Sequence, residues 1–317
     1  PRILDVMHLL DVLEGLGATV EWLSSESVRI QAARIDTSSF HSNQYQEDAR
    51  KIRGSVMLLG PMLARFGKAY LPKPGGDKIG RRRLDTHFQG LEHLGAHLKY
   101  DARQEQYFVE AQKLVGNYVL MDEISVTGTA NLIMGAVLAE GTTQIYNAAC
   151  EPYVQQLCRM LNSMGAKISG IGSNLLSIEG VTSLGGTTHR ILPDMIEIGS
   201  FIGLAAMTGS EITISNAGIP HLGIIPRVFE KLGIHLEFRG DDIFIPAHES
   251  YEIQSFIDGS ILTIYDAPWP GFSPDLMSII LVVAAQARGS LLIHQKMFES
   301  RLFFVDTLID MGARVIL

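Results

Sequence analysis

Two cysteines in 317 residues, Cys150 and Cys158, are too few for a disulfide framework, and no His or Cys stands beside them at metal-ligand spacing. Both are expected as small core residues in a reducing cytosol. Basic residues are also short. The 26 Lys and Arg against 34 Asp and Glu leave a net charge of -8, which speaks against nucleic acid or an anionic membrane surface as a partner. No apolar run reaches the ~20 residues of a bilayer span. Leu276 to Ala287, the longest in the second half, is interrupted by Ser278 and Gln286 and reads as a buried helix. The amino end, PRILDVMHLLDVLEGLG, lacks the basic, apolar and small-residue sections of a signal peptide and reads as an amphipathic helix. No dinucleotide fingerprint or ligand cluster occurs, so neither metal nor cofactor is expected. A soluble cytoplasmic protein is left, with 46% apolar residues to fill the cores of two domains. With no initiating Met, and MGARVIL at its end opening what reads as a strand, the sequence reads as an internal fragment of a longer chain.

What is present is a repeat. LEGLGATV, LEHLGAHL, LNSMGAKI, FEKLGIHL and LIDMGARV place glycines at 17, 95, 165, 233 and 312. Each copy predicts an amphipathic helix, a left-handed Gly closing its last turn, and a strand. Val6, Leu9, Leu10, Leu13 and Leu16 form a core stripe in the first copy; Val154, Leu157, Cys158, Leu161 and Met164 form one in the third. A second phrase alternates with the first: an apolar helix running to a Gly and a short strand, as in SVMLLGPMLARFGKAYL, ANLIMGAVLAEGTTQIYNA, GSFIGLAAMTGSEITISNA and LMSIILVVAAQARGSLLIH. A helix apolar on nearly every side must be surrounded by protein. With strands such as Leu175 to Ile178 and Asp242 to Pro246, the reading is an α/β protein of repeated βαβαββ units, sheet outside and helix inside. The cluster of Gly185, Gly186 and Pro193 within VTSLGGTTHRILPD marks the boundary between a first domain, residues 1–190, and a second, 191–317.

One stretch departs from this scaffold. PGGDKIGRRRLDTH sets three consecutive arginines after a paired-glycine turn, in an acidic chain. Lys78, Arg81, Arg82 and Arg83 read as a solvated basic face, as most charge runs do, although the planar guanidinium of an arginine also suits bidentate recognition of phosphate or carboxylate.

With KIRGSVMLLGPMLARFG, MDEISVTGTA, ILPDMIEIGSF, DAPWPGFSPD and MFESRLFFVDTLIDMGA, that stretch resembles the enolpyruvyl transferase family over nearly the whole chain. The resemblance implies two similar domains of three βαβαββ units each, an inside-out α/β barrel, the second domain being incomplete here. It also implies transfer of an enolpyruvyl group from phosphoenolpyruvate to UDP-N-acetylglucosamine without metal or cofactor, by way of a mobile Gly-rich loop over about 73–83. The Lys-Asn pair that the family uses near its amino end, and its later Arg and Asp-Leu-Arg positions, have no counterpart here, which implies little activity for the 317 residues alone. Other readings are a shikimate-phosphate enzyme of the same family, or a non-catalytic UDP-sugar-binding relative.

The family's positions carry over as follows. Asp77 occupies the place of the loop cysteine that protonates the substrate, which implies insensitivity to fosfomycin; its ordinary reading is a turn residue. Asp275 matches the base for the sugar hydroxyl, or else a helix-start carboxylate. Arg53, Arg82, Arg83, Leu84, Asp85 and Thr86 match substrate contacts. So do Glu123, where relatives often carry lysine, and Ile124, Ser125 and Val126, with Thr127 beside them; Ser125 also reads as a helix cap. Met297 and Arg301 match positions near the sugar, and Pro274 and Met195 replace a threonine and an arginine. His87, Glu151 and Glu197 are expected to support the site rather than to react.

Overall fold

The structure, a computed structural model, describes residues 1–76, 83–297 and 301–317. The described residues fall into two compact units: 1–76, 83–150 and 154–188 in the first; 151–153, 189–297 and 301–317 in the second.

The repeat glycines are where the architecture starts. Gly17, Gly95, Gly165, Gly233 and Gly312 have φ of 95°, 95°, 103°, 87° and 99°, a region that side chains disfavour. Each closes a helix with the same pair of hydrogen bonds. In the first copy Gly17 N donates to Glu14 O at 2.8 Å and Ala18 N to Leu13 O at 3.0 Å; in the third, Gly165 N donates to Asn162 O and Ala166 N to Leu161 O, both at 3.0 Å. The first helix, α1 (Leu4–Gly15), leads through Gly17 into the hairpin β1 (Thr19–Trp22) and β2 (Val28–Gln31). After Gly312 the residues to Leu317 form no strand, unlike the expectation for MGARVIL.

Further along the first unit, α2 (Asn43–Lys51) and α3 (Leu59–Phe66) precede β3 (Lys68–Pro72); α4 (Asp85–His93), β4 (His97–Asp101) and β5 (Gln106–Glu110) follow. The sheet has the order β3-β5-β4, all antiparallel. A complete βαβαββ copy then runs through β6 (Tyr118–Leu120), α5 (Val126–Ala136), β7 (Thr142–Tyr146), α6 (Pro152–Ser163), β8 (Lys167–Ser169) and β9 (Leu175–Glu179). Its sheet has the order β6-β7-β9-β8, with β6 and β7 parallel across α5. In the second unit α7 (Met195–Thr208), β10 (Ile212–Ile214), α8 (Ile225–Lys231), β11 (Glu237–Arg239) and β12 (Asp242–Ile245) repeat the three-stranded pattern, in the order β10-β12-β11. Then β13 (Leu262–Tyr265), α9 (Met277–Gln286) and β14 (Leu291–His294) repeat the parallel βαβ start, and α10 (Val305–Asp310) follows.

The alternating phrase supplies the inner helices. On α5 nearly every side is buried, and Gly60 of α3 lets that helix approach its backbone. A Cβ on Gly60 would lie 2.2 Å from the Asn131 carbonyl oxygen. Gly60→Ala is therefore expected to destabilise the first unit by about 3 kcal/mol, because overpacking against backbone exceeds the ~1 kcal/mol gained in helix propensity. Urea unfolding of the two proteins checks this, and an unchanged midpoint would refute the close approach.

Three expectations shift in detail. On α1 the buried residues are Leu10 and Val12, with Leu16 just beyond, whereas Val6, Leu9 and Leu13 are half-buried. Only the last turn of that helix is packed on the core. Cys158 is buried, but Cys150 is half-buried rather than a core filler. The apolar helix α7 is not enclosed on all sides, since Phe201 and Leu204 remain exposed.

Candidate active site

Two segments that are distant in sequence meet in the first unit, the start of α4 and the start of α5. Asp85 occupies the first turn of α4, where the helix dipole favours a carboxylate. Leu84 is buried in the core, so its main chain rather than its side chain is offered to a ligand. Thr86 is also buried, and its hydroxyl donates to Glu123 Oε1 at 2.9 Å. Arg83 is exposed, and Arg53, at the start of a short 3-10 turn, donates from Nη2 to the Arg83 carbonyl at 3.3 Å. Ser125 caps α5 by accepting from Gly128 N at 3.1 Å. Ile124, Val126 and Thr127 beside it are half-buried. The free amides of a helix start, with arginines close by in the same fold, make a surface suited to anions.

Behind that surface lies a polar chain whose directions are fixed. Gly60 N, which can only donate, bonds Asn131 Oδ1 at 2.9 Å. The Asn131 Nδ2 group therefore donates, to Val56 O at 2.9 Å and to His87 Nδ1 at 2.8 Å. With Nδ1 accepting, the His87 proton sits on Nε2, which lies 3.0 Å from Thr127 Oγ1. Burial, and secondarily the Arg53 charge, push the His87 pKa down to about 4.

This has a consequence for stability. The unfolded chain takes up the His87 proton near 6.5 and the folded protein only near 4, so the contribution of neutral His87 is complete above pH 6.5 and is lost as pH falls toward 4. The full span is worth about 3 kcal/mol. His87→Gln is expected to remove that part of the acid dependence, read as the difference between the urea midpoints of variant and wild type at pH 7.5 and pH 4.5. Parallel losses in both proteins would refute it.

In the second unit Asp275 lies in a 3-10 turn, Pro274–Leu276, ahead of α9; its amide donates to Ser273 Oγ at 3.2 Å. The Arg301 guanidinium donates to Asp275 Oδ1, with the carboxylate side chain 43% exposed and the arginine 17%. A half-exposed carboxylate oriented by a cation can receive a proton from a bound hydroxyl. Just after β13, Asp266 is fully buried and accepts from two amides beyond β14, Lys296 N at 2.5 Å and Met297 N at 3.0 Å, which sets the backbone on which Met297 is displayed. Lys296 lies over the Tyr265 ring, 3.7 Å from its centroid. Met195 is a core residue, Glu151 is buried, and Glu197 is exposed in the first turn of α7.

The structure thus brings together Arg53, Arg83 to His87 and Glu123 to Thr127 in one unit, and Asp275 with Arg301 in the other, where Met297 also lies. Asp77 and Arg82 lie outside the described residues, as do Lys78 and Arg81. Asn131 and Asp266 were not among the sequence-derived site residues. Asn131 has a signal, being the one amide side chain in α5; Asp266 sits in DAPWPGFSPD, where nothing local marks it. Of the cavities in the first unit, one of about 1030 Å³, lined by Arg65, Lys68, His97 and Lys113, contains none of these residues. A cleft of about 160 Å³ touches Thr86, with Gln89, His93 and Asp122. Among the described residues no group of three or more His, Cys, Asp or Glu could hold a metal, and no helix is long and apolar enough to cross a membrane.

Comparison with known proteins adds the following. Residues 1–316 match the family model described as EPSP synthase (3-phosphoshikimate 1-carboxyvinyltransferase). A UDP-N-acetylglucosamine 1-carboxyvinyltransferase of Bacteroides thetaiotaomicron is 64% identical over 317 residues, 100% of this chain and 73% of the relative. One of Porphyromonas gingivalis is 60% identical over the same shares. Among solved structures, the enolpyruvyl transferase NikO from Streptomyces tendae superposes with a TM-score of 0.84 at 18% identity, covering 100% of this chain and 72% of its own. An EPSP synthase from Acinetobacter baumannii gives 0.60 at 16%, covering 90% and 64%. At such identities the likeness is one of fold, an enolpyruvyl transferase-like arrangement of α/β repeats.

Proposed function

The chain belongs to the EPSP synthase (3-phosphoshikimate 1-carboxyvinyltransferase) family, and on that premise we propose that it transfers the enolpyruvyl group of phosphoenolpyruvate to the 3'-hydroxyl of UDP-N-acetylglucosamine, releasing phosphate. This is the first committed step of peptidoglycan precursor synthesis, carried out in the cytoplasm. The observation that carries the reading is the high identity, along the entire chain, to relatives named for that acceptor.

In this reading residues 1–190 and 191–317 are the two domains. Asp275 takes the proton of the sugar hydroxyl as its oxygen attacks the central carbon of phosphoenolpyruvate. Asp77 delivers a proton to the methylene carbon, giving a tetrahedral adduct. Loss of a proton from the new methyl group and departure of phosphate restore the double bond on the transferred group. Arg53, Arg82 and Arg83 bind phosphate and carboxylate. The amides and hydroxyls of Ser125, Val126 and Thr127 hold the diphosphate. The main chain at Leu84, with Asp85, Thr86, Glu123 and Ile124, borders the uridine, and Met297 lies against the sugar. Arg301 orients Asp275, while His87, Glu151 and Glu197 support these groups.

The test is phosphate release by the protein at its full natural length, with UDP-N-acetylglucosamine or shikimate 3-phosphate as acceptor. Release with the UDP-sugar alone is expected. Release only with shikimate 3-phosphate would move the chain to the other acceptor, and tight UDP-sugar binding without any release would make it a binding protein.

A further inference from the structure

We propose that His87 is a positioning residue that acts through Thr127: with its proton on Nε2, it holds the Thr127 hydroxyl as an outward donor to an acceptor-only ligand group at the start of α5. The inference rests on the functional reading above, in which that group is a diphosphate oxygen.

A threonine hydroxyl can accept or donate, so by itself it favours neither sign of partner. Here its accepting side is taken by His87 Nε2–H at 3.0 Å. No described residue accepts its proton, and Thr127 is only half-buried, on the turn that Ser125 caps. The hydrogen is left for a ligand, and a ligand oxygen without hydrogens is the partner that completes it.

The direction is set well away from the surface. Were the imidazole proton on Nδ1, it would face the Asn131 amino group, two donors in opposition, and Thr127 would have to donate inward to Nε2. The hydroxyl would then show lone pairs to the ligand and repel an anion. Asn131 excludes this state because its own orientation is fixed by the Gly60 amide. A backbone N–H on α3 thus determines, through Asn131 and His87, the sign of the partner that Thr127 selects. His87 itself has 2% of its surface exposed, so any influence on a ligand passes through Thr127.

Two measurements test this on the protein at its full natural length. Nitrogen NMR of labelled histidine in the unliganded wild type is expected to show His87 protonated at Nε2 and unprotonated at Nδ1 at pH 7; the opposite tautomer or an imidazolium overturns the proposal. In steady-state assays Thr127→Val is expected to raise KM for UDP-N-acetylglucosamine about tenfold to a hundredfold, the range for a hydrogen bond to a charged group, with kcat changed far less. Thr127→Ser, which keeps the hydroxyl, is expected to restore KM. Turnover by the wild type with an unchanged KM in Thr127→Val overturns the proposal and leaves the functional reading intact. Absence of both turnover and UDP-sugar binding in the wild type overturns the functional reading and the proposal with it, so the two failures are distinguishable.

Discussion

Asp275→Asn is expected to lower kcat by a factor of roughly 10²–10⁴, the range for loss of a general base, while the second unit stays folded. The amide has the shape of the carboxylate, and its oxygen can still accept from Arg301, but it cannot take up a proton at neutral pH. The turn that carries it depends on Ser273 accepting the residue 275 backbone amide, which the substitution leaves alone. Some loss of the Asp275–Arg301 attraction remains, on the order of 1 kcal/mol for a partly exposed pair. Phosphate release and a thermal melt on the same preparation separate the two effects. A folded Asn variant with near-normal turnover would remove Asp275 from the proton-transfer step.

The second large effect concerns residue 77. In the enolpyruvyl transferase family fosfomycin alkylates the loop cysteine, and a carboxylate at that place offers no thiolate. The wild type is therefore expected to keep full activity after prolonged incubation with the drug, whereas Asp77→Cys is expected to lose essentially all activity with time and to gain the mass of one adduct. Irreversible inactivation of the wild type would show that its sensitivity lies elsewhere. The comparison also probes the acid role: a thiol and a carboxylic acid of suitable pKa can both deliver a proton, so the Cys variant is expected to turn over before the drug is added.

The parts of the architecture that could be read in the sequence are those imposed by local backbone needs. A helix that ends by turning into a strand requires a left-handed residue at one place; four glycines meet that requirement, and a fifth, Gly312, closes its helix with the same pair of hydrogen bonds. Of the alternating apolar helices, α5 and α9 carry no charged residue at all, and α3 and α7 carry one each, Arg65 and Glu197, both on an exposed side. Where burial depends on what covers a helix, the sequence was a poorer guide, as the half-buried Val6 and Leu9 of α1 and the exposed Phe201 of α7 illustrate.

For the site, the arginine run and the SVTGT segment were singled out by the family resemblance, since by themselves they read equally well as a solvated basic face and a helix cap, and Ser125 is indeed that cap. The meaning of Asn131 did not stand out, because its partners Val56, Gly60 and His87 lie 75, 71 and 44 residues away, and nothing in ANLIM itself points to them. Asp266 was hidden for the same reason: its acceptors' partners, the amides of Lys296 and Met297, are 30 and 31 residues on. A carboxylate in YDAPWP reads as a loop residue until the strand ends are known.

The closing glycines bear on how the molecule loosens. Each of the first four joins a helix to a strand whose neighbour in the sheet is the next strand along the chain: β1 with β2, β4 with β5, β8 with β9, β11 with β12. Such a helix and hairpin can detach and re-form by closing only short loops, whereas the parallel pairing of β6 with β7 must wait for α5 to cross between them. Amide protons are then expected to exchange in blocks that coincide with the repeats, the hairpins opening individually and the inner helices last. On that expectation hydrogen exchange carries the same period as the sequence.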